Sequence, residues 1–184
     1  MSSTADPHSA EIAWGDPWTI YAEHKRMKSI DLFRAMMDGK VPTEPSLSLV
    51  GAELVSVRPG EVKIRLVPGE RHYDQAGAVQ AGILAALTDT ASGYAIHTRV
   101  PLGVRCATLE LQVSYLRPVT VATGPVTVIG RTVRVGSRIA TGEARVEDGQ
   151  GELHMLMSST FMVLPPEPDA IALQGKNNVR SSQA

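Results

Sequence analysis

The sequence predicts an α+β fold in which an antiparallel sheet curls around one buried helix. Three observations carry that expectation. From about residue 47 apolar and polar residues alternate with a period of two, the mark of half-buried strands. The alternation is interrupted once, by a helical segment over about 79–96 (VQAGILAALTDTASGYAI) that is apolar or small nearly all the way round. A helix of that kind must be surrounded by protein, so the two strands before it and the four after it are expected to wrap it.

Taken in order, residues 1–15 are small and polar and expected to be mobile. Asp16 and Pro17 read as an N-cap and a first helical position. Ile30, Phe33 and Met37 follow at helical spacing, so one amphipathic helix is predicted over about 17–38. The Gly- and Pro-containing stretch 39–45 ends it. A less regular strand is expected over about 47–57, and Arg58-Pro59-Gly60 makes the turn into a strand where Val62, Ile64 and Leu66 alternate with Lys63 and Arg65. In the central helix the small residues Ala81, Gly82, Ala85, Ala86, Ala91, Gly93 and Ala95 let the sheet approach closely. Beyond it Leu109, Leu111, Val113 and Tyr115 alternate with Thr108, Glu110, Gln112 and Ser114. Further strands are predicted at about 124–135, 137–147 and 152–163, the last two joined through the hairpin signal Glu147-Asp148-Gly149-Gln150-Gly151. Pro165, Pro166 and Pro168 stop the sheet. The organisation expected is an N-terminal extension over 1–45, one folded domain over 46–164 and a disordered tail over 165–184.

The composition removes whole classes of function. At 184 residues and 43% hydrophobic content the chain makes one ordinary domain with a real core. Its 18 Lys and Arg against 19 Asp and Glu leave a net charge of −1, which gives no field for nucleic acid or an anionic membrane. Aromatics at 4% disfavour base-stacking platforms. One cysteine, Cys106, allows neither an intrachain disulfide nor a four-Cys zinc site, and with no secretory signal at the N-terminus a cytoplasmic setting is expected. The stretch 78–98 holds Gln80, Thr88, Asp89, Thr90 and Ser92, too many polar groups for a membrane span. Nucleotide-binding glycine loops and the G-x-S-x-G elbow are absent, and His72, Asp74 and the distant His154 do not cluster as metal ligands. No metal or cofactor is expected.

Asp89 is the residue that stands out. It is the only charged residue between Asp74 and Arg99, and it lies midway along the apolar helix. Charges are seldom buried unless paired or functional, so it is either a groove or ion-pair carboxylate or a working acid–base group. At the start of the same helix the loop 72–82 delivers free backbone N–H groups at the positive end of the dipole, where Gln80 or Ala81 could present a donor to an oxyanion. Nine residues separate Gln80 from Asp89, about 13 Å and half a turn. If both act on one substrate, a second subunit supplies one of them, as a two-fold dimer would.

The segment G-x-V-Q-A-G-x-L-A-A-L-x-D-T-A, with T-x-x-L-x-V-x-Y-L-R-P after it, resembles the hotdog-fold acyl-CoA thioesterases of the phenylacetate-degradation (PaaI-like) type, over about 74–118. The resemblance implies a hotdog fold, homodimers with composite sites, dimers of dimers among its members, and hydrolysis of an acyl-CoA to free acid and CoA. The family's helix acid falls on Asp89, and its His-Gly-Gly entry falls on Gln80-Ala81-Gly82. Its Asn or Gln upstream falls on Asp74, or on Gln75 with a one-residue slip. The Ser or Thr that positions water falls on Thr108. Two departures stand out. Gln80 donates a hydrogen bond as His would but does not titrate, and Asp74 puts an acid where the family prefers an amide.

In the implied mechanism the carbonyl sits against the Ala81 N–H and Gln80 of one subunit, while Asp89 of the other acts on water as a general base or attacks directly. For CoA phosphates the stretch 99–145 offers seven arginines and two acids. These make either a solvated strand face or a phosphate site, with Arg117, Arg134 and Arg138 as the contacts expected. The alternative function is a non-catalytic acyl-CoA binder on the same fold. A hotdog hydratase or dehydratase is a further one, though it wants a His–acid dyad and only His97, two turns on and off-face, lies near Asp89.

Overall fold

A computed structural model describes residues 8–166. The start of the expected mobile segment and all but the first two residues of the expected tail lie outside the described residues. Asp16 caps α1 (Pro17–Arg26), its carboxylate accepting from the Trp18 N–H at 3.0 Å and from the Thr19 hydroxyl at 3.2 Å. The single helix expected over 17–38 is in fact two. The backbone is extended at Met27 and Lys28, and α2 (Ser29–Met37) starts anew. The reason lies in what each face covers. α1 buries no residue fully, whereas α2 turns Leu32, Phe33 and Met36 into the core, and the break lets the two axes differ.

The strand expected from 47 is corrected as well. Pro45 is at home in a first helical turn, and Gly51, at φ 67°, closes it in the left-handed conformation, so Pro45–Val50 forms a short helix, α3. Leu47 and Leu49 mimic alternation there; one is buried and the other exposed because they lie on opposite faces of that helix.

The strands are β1 (Ala52–Arg58), β2 (Glu61–Leu66), β3 (Arg105–Tyr115), β4 (Val126–Val135), β5 (Ile139–Glu147) and β6 (Leu153–Leu164). They form one antiparallel sheet in the order β1-β2-β4-β5-β6-β3. α4 (Ala81–His97) lies across it. Leu84, Leu87 and Ala91 of α4 share a buried core with Val62, Ile64 and Leu66 of β2, Val126 and Val128 of β4, and Met155 of β6. This is the α+β hotdog arrangement that the sequence predicted. Two glycines set how tightly it closes: Gly130 lies beneath the Ala91 backbone, and Gly142 beneath the Ser92 hydroxyl, which is itself 2.7 Å from Ser159 Oγ. On the other flank Phe33 of α2 stacks on Tyr94 of α4, with ring centroids 3.9 Å apart and 11° between planes.

Candidate active site

Asp89 sits half-buried on the flank of α4 that faces β3. The Thr108 hydroxyl donates to its Oδ1 at 2.9 Å. Burial pushes the carboxyl above its ordinary range, the Thr108 bond pulls it back in part, and the negative charge of Glu44 pushes it up again. That is the setting of a carboxylate able to take a proton from water.

Thr108 reaches Asp89 because of a feature the alternation hid. Strict alternation would put Thr108 on the face opposite Leu111, Val113 and Tyr115. The β3–β6 register shifts between Thr108 and Glu110, so Leu109 is bulged out and 52% exposed. Both the Thr108 hydroxyl and the Tyr115 hydroxyl, which donates to the Ala81 carbonyl at 2.8 Å, therefore face α4.

Glu44 was not read from the sequence as a functional residue. It stands in the Gly- and Pro-containing stretch after α2, which was expected only to end the first helix, and the fold brings it to α4. Its Oε2 accepts from the Tyr94 hydroxyl at 2.6 Å and its Oε1 from the Ser46 hydroxyl at 2.7 Å. Burial and the adjacent Glu44 hold the Tyr94 phenol well above its usual range, so it remains a donor. No local sequence signal marks this pairing, which spans fifty residues.

At the other end of α4, Gln80 is the N-cap. Its Oε1 accepts from the Ile83 N–H at 3.1 Å, and its own N–H donates to the His72 carbonyl at 2.8 Å. With Oε1 committed, Nε2 is what the side chain has to offer a ligand. Ala81 and Gly82 follow in the first turn, exposed, with amides that the helix cannot satisfy from within. Asp74 Oδ1 accepts from the Ala76 N–H at 2.8 Å, closing its own turn, and Asp74 lines a cavity of about 260 Å³ with Ala81, Leu84 and Tyr115. Gln75 is exposed beside it. Asp89 lies eight residues along α4 from Ala81, roughly 12 Å on the helix axis, so the two halves of the expected site do not meet within one chain.

The three arginines expected at phosphates are not gathered in one place. Arg117 follows β3 at the α4 N-terminal end, where it donates to the Leu153 carbonyl and pairs with Glu152 at 3.1 Å. Arg134 and Arg138 are exposed beside the β4–β5 turn, at the opposite end of β6. Of the other arginines of that stretch, Arg131 pairs with Glu61 at 2.9 Å and Arg145 with Glu147 at 2.7 Å. His97 is fully engaged: its Nε2 accepts from the Cys106 N–H at 3.1 Å, which leaves the proton on Nδ1 for the Gly93 carbonyl at 2.7 Å. Burial holds it below the usual histidine range and so neutral, and burial holds the Cys106 thiol up at about 11. Among the described residues no three His, Cys, Asp or Glu side chains are grouped to hold a metal, and no helix is long and apolar enough to cross a membrane.

The chain as a whole has relatives of known sequence and structure. Residues 76–154 match the family model described as the thioesterase superfamily. A Halobacterium salinarum protein, assigned by name as an esterase, is 34% identical over 117 residues, which cover 61% of this chain and 76% of that one. Among solved structures, a conserved protein of Pseudomonas aeruginosa is 29% identical with a TM-score of 0.62, over 66% of this chain and 95% of its own. The Escherichia coli PaaI protein of the phenylacetic acid degradation operon shares the fold, with a TM-score of 0.65 at 16% identity over 76% of this chain and 95% of its own.

Proposed function

The chain belongs to the thioesterase superfamily, and from that premise we propose that it hydrolyses an acyl-CoA thioester to the free acid and CoA. The observation that carries the reading is Asp89: a half-buried carboxyl on an apolar helix, held above its ordinary range and oriented by the Thr108 hydroxyl at 2.9 Å. In this reading Asp89 takes a proton from water as its oxygen attacks the thioester carbonyl. The tetrahedral oxyanion lies against the Ala81 N–H and the Gln80 amide at the α4 N-terminus of the partner subunit. The C–S bond then breaks, and the CoA sulfur leaves with the proton Asp89 had taken.

A homodimer with composite sites follows from the spacing of Ala81 and Asp89. It is supported by β3, which carries Thr108, pairs along one edge with β6 and exposes Val113, Tyr115 and the following Leu116. Asp74 Oδ1 is held by the Ala76 N–H but the carboxylate keeps its charge, so in this reading the neutral Gln75 beside it, and not Asp74, faces the oxyanion. A general base contributes about 10²–10⁴-fold and an oxyanion donor about 10²–10³-fold, so a Gln at the helix entry slows the reaction without abolishing it.

The test is release of free thiol from a panel of acyl-CoAs by the wild type, Asp89→Asn and Gln80→His. Asp89→Asn is expected to keep the dimer and lose about 10²-fold or more of the rate. Turnover by that variant at the wild-type rate would refute the assignment. Tight binding with no thiol release by the wild type would instead favour a non-catalytic acyl-CoA binder.

A further inference from the structure

A second cavity, of about 260 Å³, lies where α1 and α2 cover the outer flank of α4. Its walls are Ile20 and Tyr21 of α1, Phe33 and Met36 of α2, and Tyr94 and His97 of α4, with Glu44 at the margin nearest Asp89. Most polar atoms of this wall are already used. Tyr94 donates its hydroxyl to Glu44, both His97 nitrogens are bonded to backbone groups, and His24 Nε2 is 3.2 Å from the Ser29 hydroxyl. Apart from the Tyr21 hydroxyl and His24 Nδ1, what lines the cavity is thus apolar surface, and the one acidic side chain among its lining residues is Glu44.

Tyr94 and His97 stand five and eight residues past Asp89 on the same helix, roughly 7.5 and 12 Å along its axis. Rotation along the helix turns Tyr94 about 140° and His97 about 80° from Asp89. The link between the two places is Glu44, which accepts from the Tyr94 hydroxyl at 2.6 Å and acts on Asp89 through its charge. A chain whose carbonyl lies at Asp89 therefore passes Glu44 to enter this cavity. An apolar cavity of about 150 Å³ holds a benzene ring, so this one has room for roughly six to ten carbon atoms, straight or aromatic.

We propose that the cavity between α1, α2 and α4 is the acyl pocket, built for uncharged apolar acyl groups of medium length or a single aromatic ring, and that Glu44 excludes acyl groups ending in a carboxylate. The proposal rests on the thioesterase reading for its carbonyl position. It gives the N-terminal helices a function of their own: they supply half the wall that measures the substrate.

The experiment separates the two readings by using thioethers that cannot be hydrolysed. Binding of S-methyl-CoA and S-octyl-CoA is measured by calorimetry, and thiol release is measured from hexanoyl-CoA and glutaryl-CoA. Each buried methylene is worth roughly a factor of four, so S-octyl-CoA is expected to bind at least about tenfold tighter than S-methyl-CoA. Ile20→Trp, which fills the cavity, is expected to shrink that ratio to about twofold or less. Should Ile20→Trp melt abnormally, Ile20→Ala serves instead, and it should favour S-dodecyl-CoA over S-octyl-CoA relative to wild type. The hexanoyl-to-glutaryl ratio of kcat/KM is expected to be about tenfold or more, and Glu44→Gln should cut it at least about threefold. Equal binding of the two thioethers, or an unchanged ratio in both Ile20 variants, overturns the pocket even if thiol is released. Discrimination between thioethers with no thiol released from any ester keeps the pocket and removes the hydrolysis.

Discussion

Replacing Gly130 with alanine is expected to lever α4 off the sheet. A methyl carbon there would stand 2.5 Å from the Ser92 nitrogen and closer still to the Ala91 carbonyl, both backbone atoms of α4. Ordinary contact begins near 3.4 Å, so the helix or β4 has to give by at least the 0.9 Å difference. No flexible side-chain end is available to absorb it. Overpacking of this kind costs about 1–3 kcal/mol, and a clash with backbone belongs at the upper end. Alanine recovers about 0.5–1 kcal/mol of the strand's lost entropy, which leaves a net loss of about 2 kcal/mol. For a chain of this size that is a fall of about 4–8 °C in melting temperature. The assay is a thermal melt followed by circular dichroism, with Gly149→Ala as control, since nothing lies within 4 Å of a methyl carbon at that site. A movement of 0.9 Å is also enough to take the 2.9 Å Thr108–Asp89 bond out of hydrogen-bonding range, so thiol release should fall with stability. Melting of the Gly130 variant within about 1 °C of the Gly149 control would refute the reasoning.

Four other outcomes follow from the same geometry. Because the folded-state carboxyl of Asp89 is raised, its contribution to stability is present below the ordinary carboxylate pKa and lost as pH rises through the raised value. Asp89→Asn should therefore melt higher than wild type at pH 7, with the gap closing as pH falls toward about 4; thermal melts across that range check it. Thr108→Val removes the bond that pulls the Asp89 carboxyl down, so the acid limb of the pH–rate profile should move to higher pH. Glu44→Gln removes a like charge and should move the same limb to lower pH, opposite in sign to Thr108→Val. Phe33→Ala deletes a buried ring stacked on Tyr94 and should cost about 3–5 kcal/mol in urea unfolding.

Much of the fold was legible because it depends on local period. The apolar α4 and the alternation in β2, β4, β5 and β6 need only the residues themselves. What failed to show were features set by partners distant in sequence. Leu47 and Leu49 satisfy a strand pattern and a short helix alike, and only the cap at Gly51 decides between them. The break at Met27 and Lys28 follows from where α2 must dock, which no residue in that stretch encodes. At the site, Asp89 was legible as an isolated charge on an apolar helix, while Thr108 was reached through resemblance, since plain alternation puts it on the wrong face. Glu44 was invisible because the stretch 39–45 reads only as the end of a helix, and its partner Tyr94 lies fifty residues away.

The strand order also fixes a sequence of events in folding. β3 leaves the ribbon made by its neighbours in sequence, and its ladder partner among the described residues is β6, some fifty positions further along. Pairing over such a separation costs more loop-closure entropy than any hairpin in the sheet, as does the still longer-range β2–β4 ladder, where Glu61 meets Arg131. β4, β5 and β6 can assemble through tight turns, but β3 can take its bulged register only when β6 is there to set it. The hydroxyl of Thr108 is therefore expected to find Asp89 only after the β4–β5–β6 ribbon has formed. On a ribosome, the Asp89 flank of α4, the half that acts on water in the proposed reaction, would wait unfinished until residues 153–164 have emerged.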